Sequence, residues 1–357
     1  MAMALRTPLS RRTVLTGAAS IATAALATRT LAAQPLAISG PPSHRPLVIA
    51  HRGGAGLRPE NTLAAIRHAL TLGADGVEID VHLTGDGVPV VHHDPKLRPD
   101  TARTLGGGWL TGEPPALAAL TLNEVKAYDV GRLDPESPYA GLYPRQEAVD
   151  GETIPTLAEA LSVLKARSKT AIAFIELKTP FAAGAFEHDA LVDATVETIR
   201  KADMADRVRL MAFEWRALDR AAERAPPIAR GHTTIPGRWL ADDAPPEHQL
   251  LPKATRDGLA ALVRTGPAFM RGYAPAAPDG WTKALIDEIA RDAAGFWTAN
   301  HYDVTPELVR HATAKNVGVS AWTVDRRTDI ERVAGLGVSA ILTDYPDTAL
   351  NVVGAPA

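Results

Sequence analysis

The sequence predicts an α/β chain folded as a (β/α)8 barrel, a TIM barrel, with a small cap inserted after the second barrel strand. Short apolar runs alternate with helical patterns over about 300 residues, the span such a barrel needs. One connection is too short to join parallel neighbours. One stretch of about 60 residues carries too little regular pattern for an ordinary loop.

The strands read, in order, as Leu47–Ala50, Gly76–Leu83, Val88–His93, Ala171–Lys178, Val208–Phe213, Pro227–Gly231, Gly295–Ala299, Val319–Val324 and Ser339–Asp344. Helical patterns fill most of the gaps. Thr62–Leu72 sets Leu63, Ile66 and Leu70 on one stripe, with Asn61 placed to cap it and Gly73 to end it. Thr305–Asn316 opens with Thr305 as cap and Pro306 in the first turn, and can turn Leu308, Val309 and Ala312 inward.

Nine strands exceed a closed barrel by one, and Val88–His93 is the surplus. Only Thr84-Gly85-Asp86-Gly87 separates it from Leu83. Parallel neighbours need a crossover of a dozen or more residues, whereas a short Asp-Gly turn makes a hairpin. Val88–His93 therefore folds back, antiparallel, beside the end of the second strand. The irregular stretch runs from His93 to the Ile154-Pro155-Thr156-Leu157 restart. It holds Gly106-Gly107-Gly108, Pro114-Pro115 and Asp134-Pro135, with only Leu122–Tyr128 suggesting a helix. Residues 95–153 are accordingly assigned to the cap, within a barrel spanning residues 46–348. A second irregular region, Arg238–Lys253, is proline-rich and acidic and is given no function. An open doubly wound sheet is the competing architecture.

The 357 residues are 46% hydrophobic and 22% charged, ordinary for a globular chain with a large core. The formal net charge of -3 comes with no Lys/Arg block or aromatic-interleaved basic run, which argues against a nucleic-acid partner. Cysteine is absent, so an exported chain could fold without disulfide formation. Export is the expectation: Arg11-Arg12 precedes a mild, alanine-rich stretch from Val14 to Ala27, and small residues follow at Ala32, Ala33 and Ala37. Residues 1–33 read as a signal peptide of the twin-arginine type, directing the chain to the periplasm or beyond. As a helix, Val14–Ala27 would rise only about 21 Å, short of a ~30 Å hydrocarbon core, so no stable membrane span is expected.

The chemistry sits at strand ends. In Gly76–Leu83, alternation sends Val77, Ile79 and Val81 to one face and Glu78, Asp80 and His82 to the other. Two like charges facing a barrel interior are costly unless a cation joins them. Arg52 or Lys178 could satisfy them as a salt bridge; a metal could do the same. Glu176 favours the metal, because three carboxylates from two strand ends suit a hard divalent ion, Mg²⁺ or Ca²⁺. His51 ends the first strand, and His93 ends the excursion that returns toward it. Two imidazoles can supply a base on one side of a reacting centre and an acid on the other. Arg52 and Lys178 can hold a phosphate, and Gly53-Gly54 lets backbone N–H groups approach an anion. Each residue alone has a structural explanation as a satisfied core or rim group. His92 reads as merely packed, and His82 as a satisfied polar neighbour.

Taken in order, His51-Arg52-Gly53, Pro59-Glu60-Asn61-Thr62, Glu78-x-Asp80, Asp86-Gly87, His93-Asp94, Ile154-Pro155-Thr156-Leu157, Glu176-x-Lys178, Trp322-Thr323-Val324 and Thr343-Asp344-x-Pro346 resemble the glycerophosphodiester phosphodiesterase family. The resemblance runs from about Leu47 to Asp347. It implies a TIM barrel with an inserted cap, and a divalent metal used to cleave glycerophosphodiesters into glycerol 3-phosphate and an alcohol. By its motif, Glu78, Asp80 and Glu176 would bind the metal, His51 and His93 would be the acid/base pair, and Arg52 and Lys178 would hold the phosphate. Trp322 falls where the family's late tryptophan helps form the substrate wall. The resemblance also implies attack by the neighbouring glycerol hydroxyl through a cyclic phosphate. Two stretches depart from the family: Ala212-Phe213-Glu214-Trp215 replaces a Ser-Phe element, and Gly231-His232-Thr233-Thr234 could bring a third histidine to the rim.

The expected function is thus metal-dependent hydrolysis of a small-molecule glycerophosphodiester, with Ca²⁺ favoured over Mg²⁺ for an exported chain. One alternative keeps the site and moves the substrate to lysophospholipids, a lysophospholipase-D-like activity. Another is a non-catalytic exported protein that binds phosphate esters. Parallel assays on glycerophosphocholine and lysophosphatidylcholine separate the first two, and binding without turnover marks the third.

Overall fold

The computed structural model describes residues 45–179, 188–236, 270–273 and 281–354. The export segment expected over residues 1–33 and the acidic stretch Arg238–Lys253 lie outside the described residues.

In chain order the strands are β1 (Leu47–Ala50), β2 (Gly76–Leu83), β3 (Pro89–Val91), β4 (Arg103–Thr104), β5 (Tyr128–Asp129), β6 (Ile172–Leu177), β7 (Val208–Ala212), β8 (Ala229–Thr233), β9 (Gly295–Asn300), β10 (Gly318–Trp322) and β11 (Ala340–Thr343). The described helices are α1 (Leu63–Leu72), α2 (Leu122–Val125), α3 (Leu157–Arg167), α4 (His188–Ala202), α5 (Trp215–Arg224), α6 (Lys283–Ile289), α7 (Pro306–Ala314), α8 (Arg327–Gly335) and α9 (Pro346–Val353). The sheet has nine strands, and β3 is its antiparallel member, pairing Val81 with Val91 and Leu83 with Pro89. The other strands run parallel in the order β1-β2-β6-β7-β8-β9-β10-β11. Leu47 pairs with Ala340 and Ile49 with Gly76, which closes the barrel. The surplus strand is the antiparallel excursion that its short turn requires.

Alternation along the strands divides the core into two layers. Val48, Val77, Ile79, Ile175 and Leu210 face the helices, in one cluster with Ile66, Leu161 and Trp215. Ile49, Phe174, Met211, Phe296 and Leu342 fill the barrel interior, where Phe174 and Phe296 meet edge to face at 5.7 Å. Phe296→Ala removes the ring from this plug, and unfolding free energy should fall by about 3–5 kcal/mol in denaturant titration. A loss below about 1 kcal/mol would show that the interior collapses around the gap.

Two local expectations are corrected. Thr62, not Asn61, caps α1: its hydroxyl accepts from the Ala65 N–H at 3.1 Å. Asn61 takes a left-handed φ of 58°, which its short amide side chain tolerates, and spends that side chain on Asp80 instead. β8 begins at Ala229 rather than Pro227, because proline cannot donate to the ladder. The shift puts His232 inside the strand, facing outward against the Trp215 ring at 4.9 Å, fully buried. It brings no third histidine to the rim. Burial lowers its pKa to about 4, so it is a neutral core residue.

Between β3 and α3 the chain stays irregular, as its glycines and prolines imply. α2 is a single turn closed by a Thr121–Glu124 capping box and stops at Val125, short of the expected Tyr128. Leu97, Ala102, Leu117, Val125 and Val130 form a small core there with Val90 and Ile154. The segment is tied to the barrel's C-terminal face. Gln146 Nε2 donates to Ala55 O at 2.7 Å, and Glu147 N donates to Leu57 O at 3.0 Å. No helix among the described residues is long and apolar enough to cross a membrane.

Candidate active site

Climbing the interior face of the strands in steps of two, apolar side chains give way to polar ones. β2 presents Glu78 and then Asp80; β6 presents Phe174 and then Glu176; past β11 the next interior position after Leu342 is Asp344. In register, Asp80 lies beside Glu176. The Glu78, Asp80 and Glu176 carboxylates each offer an oxygen within 4.8 Å of the others, all buried. Ligands in a TIM barrel gather at this C-terminal end.

These three carboxylates differ in how well the protein neutralises them. Asp80 receives Asn61 Nδ2 at 2.8 Å, lies 3.3 Å from Lys178 Nζ and 3.6 Å from Arg52 Nε. Despite burial, Lys178, His93 and Arg52 hold it well below the usual carboxylate range. Glu176 pairs with Lys178 at 2.9 Å. Glu78 has less: the Arg52 N–H donates to its Oε2 at 2.9 Å and His51 Nε2 stands 3.9 Å away, while its Oε1 is buried with no hydrogen-bond partner. Burial, then repulsion from Asp80, pushes Glu78 up to about 8. A salt-bridge network therefore accounts for two of the carboxylates and leaves the third short of a cation. The residues present fit a hard divalent ion on oxygen ligands.

His51 and Arg52 follow β1 in a 3-10 turn, His51–Gly53. Arg52 adopts φ 49°, uncommon for a residue with a side chain, and its N–H bond to Glu78 helps hold it there. The glycines behind it serve packing. A Cβ on Gly53 would meet Ala65 Cβ at 2.8 Å, and Gly54 N already donates to His51 O at 2.8 Å. The expected anion contact from the Gly54 N–H is thus taken up inside the turn.

Both histidines are anchored on Nδ1. His51 Nδ1 lies 2.7 Å from Asp344 Oδ1, and His93 Nδ1 lies 2.7 Å from Asp94 Oδ1. With Nδ1–H given to a carboxylate, each Nε2 is left for chemistry. Burial opposes a charge on His51, but Asp344 and Glu78 outweigh it and raise its pKa to about 9. Asp94, although largely buried, is held well below the usual range by His93 and Arg98. His82 is lowered by burial to about 4, stays neutral and donates Nε2–H to His93 O at 3.0 Å. His92 is buried, and that burial lowers its pKa. Its backbone N–H bonds Asp80 O at 3.0 Å, tying β3's end to the acidic cluster.

Trp322 ends β10 and meets Phe213 edge to face at 5.6 Å. Phe213 comes from the stretch that departs from the family, but its neighbours act structurally. Glu214 accepts from Arg216 N at 3.0 Å as the cap of α5, and Trp215 Nε1 donates to Thr233 O at 3.0 Å.

The sequence names the eight site residues but not their supports. Asp344, Asp94, Glu60 and Asn61 all lie inside the recurring strings, where their presence was the available signal. Tyr139, which bonds Arg52 and Glu60, lies in the irregular segment and carries no sequence signal at all.

Two carboxylate-anchored imidazoles, the cationic side chains of Arg52 and Lys178 and a buried cluster of three carboxylates share one end of the barrel, an arrangement suited to a phosphate ester. The chain belongs to the glycerophosphoryl diester phosphodiesterase family, whose profile matches residues 51–348, and it is an enzyme of that class. It is similar to a glycerophosphodiester phosphodiesterase of Caldanaerobacter subterraneus, 29% identical over 307 residues that cover 86% of this chain and 97% of that protein. A Bacillus altitudinis glycerophosphodiester phosphodiesterase is 30% identical over 308 residues, covering 85% of this chain and 97% of the relative. Among solved structures, an Oleispira antarctica phosphodiesterase in complex with the product sn-glycerol-3-phosphate superposes with a TM-score of 0.60 at 25% identity, covering 87% of this chain and 97% of that one.

Proposed function

We propose that the chain is an exported phosphodiesterase that requires a divalent cation and cleaves glycerophosphodiesters to glycerol 3-phosphate and an alcohol, with His51 and His93 as its acid–base pair. The observation that carries this reading is the matched anchoring of the two imidazoles, each with Nδ1 on a carboxylate at 2.7 Å, beside the three-carboxylate cluster. The product complex of the Oleispira antarctica relative supports the glycerol phosphate half of the substrate. The paired arginines Arg11-Arg12 support export by the twin-arginine route.

Glu78, Asp80 and Glu176 would hold the cation, which when bound supplies Lewis-acid stabilisation of charge on a phosphoryl oxygen. The rest is done by this chain's own groups. Arg52 and Lys178 hold the remaining phosphate oxygens, and Trp322 with Phe213 walls the substrate on the far side. One imidazole takes the proton of the attacking glycerol hydroxyl at Nε2 while the other gives a proton to the departing alkoxide. Water then opens the resulting cyclic phosphate with the two roles reversed, which yields glycerol 3-phosphate. Asp344 and Asp94 keep both rings turned so that Nε2 faces the phosphate, and Asp344 favours the imidazolium of His51. Ca²⁺ is favoured over Mg²⁺ because an exported site meets calcium and its all-oxygen ligands tolerate loose geometry.

Purified protein given glycerophosphocholine should release glycerol 3-phosphate and choline in equal amounts. Chelation should abolish the release, and Ca²⁺ should restore it better than Mg²⁺. Turnover that survives exhaustive chelation overturns the metal reading. Faster cleavage of lysophosphatidylcholine, assayed in parallel, overturns the substrate.

A further inference from the structure

We infer that Tyr139, carried by the inserted segment, is a positioning residue for the Arg52 guanidinium and makes that segment part of the phosphate clamp. The inference rests on the proposed role of Arg52 in holding phosphate.

Arg52 Nη1 donates both to Glu60 Oε1 at 3.1 Å and to the Tyr139 hydroxyl oxygen at 3.2 Å. The Tyr139 hydroxyl in turn donates to Glu60 Oε2. Guanidinium, carboxylate and phenol thus close a ring in which every hydrogen has one place to go. Burial, with the Glu60 carboxylate alongside, lifts the phenol well above its usual range, so its proton stays on and the donor sense of the ring is fixed.

The phenol itself is immobilised from behind. The Arg98 guanidinium lies 3.9 Å over its ring, and Tyr143 packs against it edge on at 5.2 Å. Arg98 is held in turn by two bonds to Asp100, at 2.9 and 2.7 Å. Tyr139 is 9% exposed, and the Asp134–Tyr139 stretch is braced by Ser137, whose hydroxyl donates to Asp134 O at 2.8 Å.

The consequence falls on the rest of the guanidinium. Arg52 Nε is buried, makes no hydrogen bond, and stands 3.6 Å from Asp80. A guanidinium binds phosphate well only when its fork is presented in the right plane. With Nη1 pinned on the cap side, that plane is set before substrate arrives. Without the phenol, Glu60 alone holds Nη1, and the guanidinium is free to swing toward Asp80, a carboxylate proposed for the cation. Tyr139 therefore fixes the plane in which Arg52 meets the phosphate and holds its Nε at 3.6 Å from Asp80 rather than closer.

Tyr139→Phe tests this, because it keeps the ring and its stacking and deletes one hydroxyl. In the full chain with saturating Ca²⁺, KM for glycerophosphocholine and the inhibition constant of inorganic phosphate should both rise about tenfold. The change in kcat should stay below about threefold, with Ca²⁺ affinity by calorimetry unchanged. A purely structural tyrosine would lower the melting temperature and leave both constants where they were, which overturns the inference. Arg52→Lys separates the two layers of the argument, since it keeps the charge and loses the fork. If Arg52→Lys leaves KM and phosphate inhibition unchanged, the clamp reading itself fails. If it raises both and Tyr139→Phe raises neither, only the role of Tyr139 fails. In the double variant the two effects should not multiply, because lysine cannot make the contact that the phenol orients. Full multiplication of the two effects would overturn the coupling even if the single variants lose stability.

Discussion

Turnover falls about 10²–10⁴-fold when His51 is replaced by alanine, and by a similar factor in His93→Ala, while the divalent cation binds as before. The two rings stand on different elements and share one arrangement. His51 sits in the turn after β1 and leans on Asp344 beyond β11; His93 sits after β3 and leans on its neighbour Asp94. Neither belongs to the carboxylate cluster, so neither loss should empty it. The competing explanation makes them satisfied rim histidines whose removal costs stability. It predicts that activity and melting temperature decline together, and that residual activity tracks the folded fraction. Activity lost far beyond any fall in the folded fraction, under saturating cation, is the expected result. Wild-type turnover in either variant would remove that histidine from the mechanism. His82 could not simply take its place, because its Nε2–H is already committed to His93 O and burial keeps it neutral.

What was legible in the sequence, and what was not, follows from how far apart the interacting groups lie. The barrel strands announced themselves as short apolar runs, a local property, and period-2 alternation within two of them gave the facing of Glu78, Asp80 and Glu176. The surplus strand was legible because the length of the Thr84–Gly87 turn excludes a crossover. β8 was misplaced by two residues because Pro227-Ile228 is apolar, and only the ladder excludes the proline. The same slip ended the strand at Gly231, one residue short of His232, so no alternation was read for that side chain. Asn61 and Thr62 are equally good caps by type, and the choice was made by Asp80, a residue of β2 that only the fold brings near. The supports of the histidines are split in the same way. Asp94 is adjacent to His93, but Asp344 lies far along the chain from His51 and meets it through closure of the barrel by β11. Tyr139 was out of reach altogether, because an irregular segment has no period from which the facing of a side chain can be read.

Without a divalent ion, the protein should lose stability steadily as pH rises from about 5 to about 9, and a saturating divalent ion should remove the part of that slope that Glu78 supplies. The driving group is Glu78. Burial and the neighbouring Asp80 and Glu176 lift its carboxyl from an ordinary 4.5 to about 8. Between those values the folded chain holds a proton that the unfolded chain has released, so raising the pH favours unfolding. His51 adds a slope of the same sign at higher pH. Its imidazolium, stabilised by Asp344 and Glu78 against the effect of burial, persists to about 9, whereas the unfolded ring titrates at an ordinary 6.5. Asp80 works in the opposite sense but outside this window, because its lowered pKa matters only as the solution becomes acidic enough to protonate the unfolded carboxyl. A cation that binds Glu78 replaces the proton, so its stabilising effect must grow with pH and its binding must release hydrogen ions. At about a hundred times its dissociation constant it should add about 2.7 kcal/mol to the folded state. Thermal melts of chelated and Ca²⁺-loaded protein across the pH range read the first effect; calorimetric titration in buffers of different ionisation enthalpy reads the second. Glu78→Gln should make the metal-free profile shallower below about pH 8, leaving the slopes of His51 and of Asp325, whose carboxyl is raised to about 7 by burial and Asp344. It should also weaken Ca²⁺ binding by at least about tenfold, since an amide cannot supply the missing charge. A metal-free profile that is flat in the wild type, or equally steep in Glu78→Gln, would show that Glu78 is already neutralised within the protein. The salt-bridge network around Lys178 and Arg52 would then be the whole account of the cluster.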